Sequence, residues 1–92
     1  MIEQRVTITN RLGLHARAAA QLVRTANRFQ SFLRVERLDG SATADAKSIL
    51  SVLMLAASRG TELRLTADGH DETEALEALS CLFADGFGEL TP

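Results

Sequence analysis

The hydrophobic residues of this 92-residue chain change their period repeatedly, and that constrains the fold more than any other feature. In residues 2–9, Val6 and Ile8 alternate with Arg5, Thr7 and Thr9, the pattern of a half-buried strand. Asn10 to His15 then reads as a loop punctuated by Gly13. From Ala16 to Phe29 the spacing is helical: Ala19, Leu22, Val23 and Ala26 share one face, and Arg17, Gln21, Arg24 and Arg28 form the opposite stripe. Residues 32–38 alternate again, and Asp39-Gly40 is a hairpin-turn signal before a short polar strand at 41–45. Lys47 to Ala57 is apolar almost all round, so periodicity does not separate helix from strand there. Its Leu, Met and Ala content predicts a helix of about three turns ended by Gly60. Residues 61–67 alternate once more, and Asp68 to Asp71 form a turn that caps the next helix. Residues 72–85 bury Ala75, Leu76, Leu79, Leu82 and Phe83, with Gly86 at the C-terminal cap position.

None of these short elements can bury its own apolar face. The order β-α-β-β-α-β-α therefore predicts an α+β fold over residues 1–92, one domain with a single sheet covered by helices on one face. A chain this short buries only about two thirds of its unfolded surface, so its core is thin and a functional site is expected on the surface.

Several classes drop out. Cys81 is the single cysteine, so no intrachain disulfide forms, and a small domain without staples fits a reducing, cytoplasmic setting. The first ten residues lack the apolar segment of a signal peptide, and no apolar run reaches the ~20 residues of a membrane span. Trp and Tyr are absent, which argues against base-stacking platforms for nucleic acid. Two distant histidines and one cysteine make a poor metal site, and no glycine-rich phosphate loop or nucleophile elbow is present. No metal and no cofactor is expected. The net charge of −2 is uneven: residues 1–37 carry seven Arg against two Glu, and residues 38–92 carry three basic against ten acidic groups. A basic first third can attract phosphate or an acidic partner, or can simply be one face of the domain.

His70 lies in an acidic turn and reads as a solvated residue. His15 differs, because it stands at the mouth of the first predicted helix, two residues before Arg17. The first N–H groups of a helix have no intrahelical partner, and the dipole places partial positive charge there. The amides of Ala16, Arg17 and Ala18 can hold an anion at that spot, and a guanidinium adds forked hydrogen bonds to phosphate oxygens. A neutral imidazole nitrogen is a competent nucleophile near pH 7. Leu14-His15-Ala16-Arg17 is thus suited to accept a phosphoryl group, and equally suited to a plain helix cap.

Leu12-Gly13-Leu14-His15-Ala16-Arg17 resembles the active-site signature of the HPr family, histidine-containing phosphocarriers of the bacterial phosphotransferase system. Lys47-Ser48-Ile49-Leu50 resembles the second signature of that family, around its regulatory serine, and the likeness covers nearly the whole chain. Ile8-Thr9-Asn10, Leu53-Met54-Leu55 and Leu82 to Phe87 look most like the nitrogen-regulatory branch. Lys47-Ser48-Ile49 and Leu55-Ala56-Ala57 look equally like the general carriers of sugar transport. The resemblance implies an open-faced β-sandwich, a four-stranded antiparallel sheet with three helices on one side. It implies a carrier rather than a stand-alone enzyme: Enzyme I phosphorylates His15 at Nδ1, and His15 passes the group to a histidine of an EIIA protein or domain. It assigns phosphate stabilisation to Arg17 and the neighbouring amides, and phosphorylation by HPr kinase/phosphorylase to Ser48. Many members have Pro where this chain has Ala18; Ala18 keeps one more amide donor at the helix entry.

A monomer that docks several partners needs a shared face. Ala20, Ile49, Leu50 and Leu53 are expected to form it, with Arg24 and Arg28 around it steering an acidic partner. Two other readings compete. A regulatory binding module of the same fold, switched by phosphorylation of Ser48, needs Ser48 but not His15; a small RNA-binding domain using the arginine stripe needs neither.

Overall fold

In the computed structural model, which describes residues 1–89, strand β1 (Ile2–Thr7) runs antiparallel to strand β4 (Glu62–Asp68), with Ile2 opposite Ala67 and Val6 opposite Leu63. Strand β2 (Phe32–Arg37) lies on the other side of β4, and the three-residue β3 (Thr43–Asp45) pairs with β2. The result is a four-stranded antiparallel sheet of order β1-β4-β2-β3. Alternation decides its two faces. Leu33, Val35, Leu63, Leu65 and Ala67 are buried, while Glu3, Arg5, Arg34 and Thr43 face solvent.

Three helices cover the buried face: α1 (Ala16–Ala26), α2 (Ile49–Leu53) and α3 (Glu72–Ala84). Helix α1 contributes Ala18, Ala19, Leu22 and Ala26 to the core, and α3 contributes Ala75, Leu76, Leu79 and Phe83. Leu82, expected in the core, is only partly buried. The α+β fold and element order are those expected; most elements are shorter by a few residues at their ends, while β4 is shifted by one and takes in Asp68, which was expected in the turn.

The largest departure is the second helix. It spans five residues instead of about three turns, because Leu55 and Ala57 turn into the core while Ala56 takes a positive φ of 50°. The Arg37 guanidinium donates to the carbonyls of Leu55 (3.1 Å) and Ala56 (3.4 Å), satisfying backbone acceptors just past the helix end. Gly60 therefore does not end the helix. Ser48, expected inside the first turn, is instead the N-cap, its Oγ accepting from the Ser51 amide at 3.4 Å.

A second correction concerns Asp71. It occupies the N-cap position of α3, yet its side chain makes no cap hydrogen bond. The carboxylate accepts instead from the amides of Gln30 and Ser31, each at 2.9 Å, and from the Ser31 hydroxyl. These bonds hold the Asp71 carboxyl down at about 2, the Ser31 hydroxyl first among them, and they tie the start of β2 to the start of α3.

The chain leaves α3 through Gly86, Phe87 and Gly88, all with positive φ (59°, 55° and 75°). Gly86 sits at the expected cap position. Phe87 is held in that unusual conformation by burial: its ring packs edge-on against Phe83, centroids 4.9 Å apart, and its carbonyl accepts from Gln21 Nε2 at 3.2 Å. This reversal carries Glu89 back across the molecule to the N-terminus of α1. Among the described residues no helix is long and apolar enough to cross a membrane.

Candidate functional site

His15 is the N-cap of α1, in extended conformation (φ −75°, ψ 178°), with its side chain about a quarter exposed. Ala19 is the first residue of the helix whose amide reaches back, to the His15 carbonyl at 2.8 Å. The amides of Ala16, Arg17 and Ala18 are thus the unpaired donors of the helix start. One of them is partly engaged: the Arg17 amide points at His15 Nδ1 at 3.3 Å. A long bond of this kind is readily exchanged for a better acceptor.

The loop before His15 is fastened to the segment after α2. The Leu14 amide donates to the Ala57 carbonyl at 2.9 Å, and Gly13 (φ +67°) lies so close that a Cβ there would meet the Ala57 carbonyl oxygen at 2.5 Å. Leu14 is buried beneath the loop, and Asn10, fully buried, donates through Nδ2 to the Gly13 carbonyl at 2.8 Å. The imidazole therefore stands on a braced turn.

An open cleft of about 760 Å³ surrounds it, lined by Arg11, Leu12, His15, Ala16, Arg17, Gly88 and Glu89. Arg17 is exposed at the edge of this cleft, where its guanidinium can meet an incoming anion, and its charge also helps to hold Glu89 ionised. Arg11 doubles the positive charge of the cleft and was not singled out by its spacing. The most informative addition is Glu89: its Oε2 lies 2.6 Å from His15 Nε2, and its Oε1 accepts from Asn10 Nδ2 at 3.1 Å. The Asn10 hydrogen bond, followed by that to His15, holds the Glu89 carboxyl below its usual value. The only sequence signal for Glu89 is the Gly-Phe-Gly triplet that precedes it, which marks a chain reversal without saying where it leads.

Ala18 has its side chain wholly in the core, so only its backbone is available to a ligand. Ile49, Leu50 and Leu53 are exposed, at 43%, 67% and 37%, and so are not core. Leu12 (65%) and Met54 (73%) add to the apolar surface. Helix α1 packs against α2, placing the exposed Arg24 and the half-buried Ala20 on the neighbouring element; α1 ends at Ala26 with Asn27 as its C-cap, so Arg28, expected on the helix stripe, is exposed in the turn just beyond it. His70 is exposed in the turn after β4 and does not line the cleft.

The comparisons with known proteins fit this geometry. The family model described as "PTS HPr component phosphorylation site" matches residues 2–85. The chain is 48% identical over 91 residues to the phosphocarrier protein HPr of Xylella fastidiosa (strain Temecula1), covering 99% of this chain and all of that protein. It is 42% identical over 86 residues to the phosphocarrier protein NPr of Proteus mirabilis, covering 94% of each. Among solved structures, HPr from Thermoanaerobacter tengcongensis superposes with a TM-score of 0.91 at 42% identity, covering 99% of this chain and all of that one. A match across nearly the whole length in sequence and in fold leaves one conclusion: this chain belongs to the HPr family of phosphocarrier proteins of the phosphotransferase system.

Proposed function

We propose that His15 is the residue that carries the phosphoryl group, through Nδ1, between Enzyme I and a histidine of an EIIA protein or domain. The observation that carries this reading is the orientation of the ring at the start of α1. Nδ1 faces the helix amides in a cleft with Arg11 and Arg17, while Nε2 is occupied by Glu89. In the transfer, the Nδ1 lone pair forms an N–P bond as the bond from phosphorus to its donor atom on Enzyme I breaks, and that electron pair returns to the donor atom. The Arg17 amide then loses its weak acceptor and can turn to a phosphoryl oxygen, together with the amides of Ala16 and Ala18 and the Arg17 guanidinium. The cleft is open among the described residues, so the group can leave as well as arrive.

The apolar side chains of α2, with Ala20 and the guanidinium groups of Arg24 and Arg28, are the proposed docking face for both partners. Ser48, half-buried at the N-cap of α2 beside exposed Ile49 and Leu50, is the proposed site for HPr kinase/phosphorylase. The carrier works as one domain and as a monomer, in the cytoplasm. Its single exposed cysteine fits a reducing setting, and the charged outer face of the sheet offers little to a second copy.

The test is incubation with phosphoenolpyruvate and Enzyme I, followed by intact-mass measurement. One acid-labile phosphoryl group is expected on the wild-type protein and on His70→Ala, and none on His15→Ala. Phosphate persisting on His15→Ala would remove the reading.

A further inference from the structure

The geometry assigns to Glu89 and Asn10 a positioning role that deepens the phosphocarrier reading and rests on it. Together they keep the proton of His15 on Nε2, so that Nδ1 presents its lone pair before transfer and the ring holds its Nε2 proton while phosphorylated.

The direction of each hydrogen bond follows from what its neighbours can do. Asn10 is fully buried, and the two groups beside its amide, the Gly13 carbonyl at 2.8 Å and Glu89 Oε1 at 3.1 Å, are both acceptors. Its NH2 group must therefore face them, which leaves Oδ1 without a partner among the described residues. Asn10 thus holds one oxygen of the Glu89 carboxylate, and the other, 2.6 Å from His15 Nε2, can only accept. At the far side of the ring Nδ1 faces a donor, the Arg17 amide. Acceptor at Nε2 and donor at Nδ1 specify one neutral tautomer, protonated at Nε2.

The same arrangement serves the phosphorylated state. Bond formation at Nδ1 uses its lone pair, and a ring that keeps its Nε2 proton becomes formally cationic. Glu89 supplies the facing negative charge. The proton stays in place when the N–P bond breaks and the electron pair returns to Nδ1, so the ring is regenerated ready for the next transfer without exchanging a proton with solvent. Arg11 and Arg17 are the other charged groups lining the cleft, and Arg17 also lowers the Glu89 carboxyl, favouring the carboxylate that faces Nε2.

The fixed orientation of Asn10 makes an unusual expectation testable. In Glu89→Gln the amide oxygen must face the Asn10 donor, so the Gln NH2 group is turned toward His15 Nε2 and donates to it. That places the proton on Nδ1 and blocks the nucleophile. The isosteric Glu89→Gln is therefore expected to be worse than the truncating Glu89→Ala, which leaves Nε2 to water. Asn10→Ala combined with Glu89→Gln frees the amide to turn its oxygen to His15 and recovers part of the loss.

The experiment is two-bond 15N–1H correlation of the His15 ring at a pH where it is neutral, paired with the rate of phosphorylation by phospho-Enzyme I. Thermal midpoints serve as the folding control. Expected are an Nε2–H ring in wild type, a shift toward Nδ1–H in Glu89→Gln with transfer slowed on the order of 10-fold, and a smaller effect in Glu89→Ala. Partial return of both readouts in the double variant completes the pattern. An unchanged Nε2–H signature in folded Glu89→Gln, or Glu89→Ala slower than Glu89→Gln, would overturn the assignment. The ring signature is read without phosphate. A wild-type protein with the expected tautomer that took no phosphate on His15 would sink the carrier role, and the positioning role in transfer with it, but would leave the tautomer assignment standing.

Discussion

The Leu14 amide donates to the Ala57 carbonyl at 2.9 Å, which bolts the loop carrying His15 to the chain just beyond α2. The contact requires Gly13. Its φ of +67° suits a residue without Cβ, and an added Cβ would stand 2.5 Å from the Ala57 oxygen and 2.8 Å from Ser58 Cα, both backbone atoms. Gly13→Ala is expected to cost about 2 kcal/mol or more, through backbone strain and displacement of residues 57 and 58. Chemical denaturation of the two proteins checks it, and equal midpoints would mean that the loop can move aside freely.

Arg17→Ala tests the guanidinium alone. Arg17 is exposed and contributes no side chain to the core, so the fold should be unaffected. Loss of one charge-assisted contact to the transferring group is expected to slow phosphorylation roughly 10-fold. Solvent screening keeps the effect near that size. A wild-type rate would make Arg17 a bystander.

The exposed side chains of α2 should matter to partners and not to folding. Leu50→Ser and Met54→Ser remove groups that are 67% and 73% exposed, so stability should stay within about 0.5 kcal/mol of wild type. Affinity for Enzyme I, measured by calorimetry, should fall. Charge reversal at Arg24 and Arg28 should act differently, lowering the association rate and flattening its salt dependence.

Asp71 gives a pH signature remote from the site. Its carboxyl is held down to about 2 in the folded protein from the ordinary 3.8, chiefly by the Ser31 hydroxyl and the Gln30 amide. The folded state prefers the carboxylate, so the contribution is complete above the unfolded value and disappears as pH falls through about 2. Asp71→Asn, which resembles the protonated acid, should melt below wild type at pH 7. The gap should close as pH approaches 2, while phosphoryl transfer at neutral pH is unchanged.

Ser48→Asp should separate folding from transfer. Asp is as good an N-cap as Ser, so α2 should persist and the thermal midpoint should hold. A carboxylate beside Ile49 and Leu50 would have to be desolvated against a docking partner, so phosphorylation of His15 by Enzyme I should slow. A fall in both quantities would make Ser48 purely structural.

The elements most legible beforehand are those whose period is local. Alternation over Leu33, Val35, Leu63 and Leu65 fixes which strand face is buried, and the spacing of Ala19, Leu22 and Ala26 fixes the inner stripe of α1. His15 at the helix entry was legible for the same reason, since caps are set by neighbours in sequence. Helix α2 is shorter than its composition predicts because Leu55 and Ala57 are apolar on account of the core they fill, while propensity alone reads them as more helix. Asp71 stands at the capping position that its local sequence predicts, but its side-chain partners, Gln30 and Ser31, are about forty residues away and no local pattern points to them.

By itself, then, the amino-acid order determined a four-stranded, helix-covered fold with a histidine at the mouth of its first helix. Those features rest on periodicity and capping, interactions that span a few residues. Only the tertiary structure decided that Glu89, 74 positions from His15, meets its Nε2, and that buried Asn10 holds that carboxylate in place. That meeting depends on Phe87 entering the core against Phe83 and on the Gln21 bond to its carbonyl. Packing across the whole molecule brings these residues together, and no local pattern encodes where the reversed chain lands.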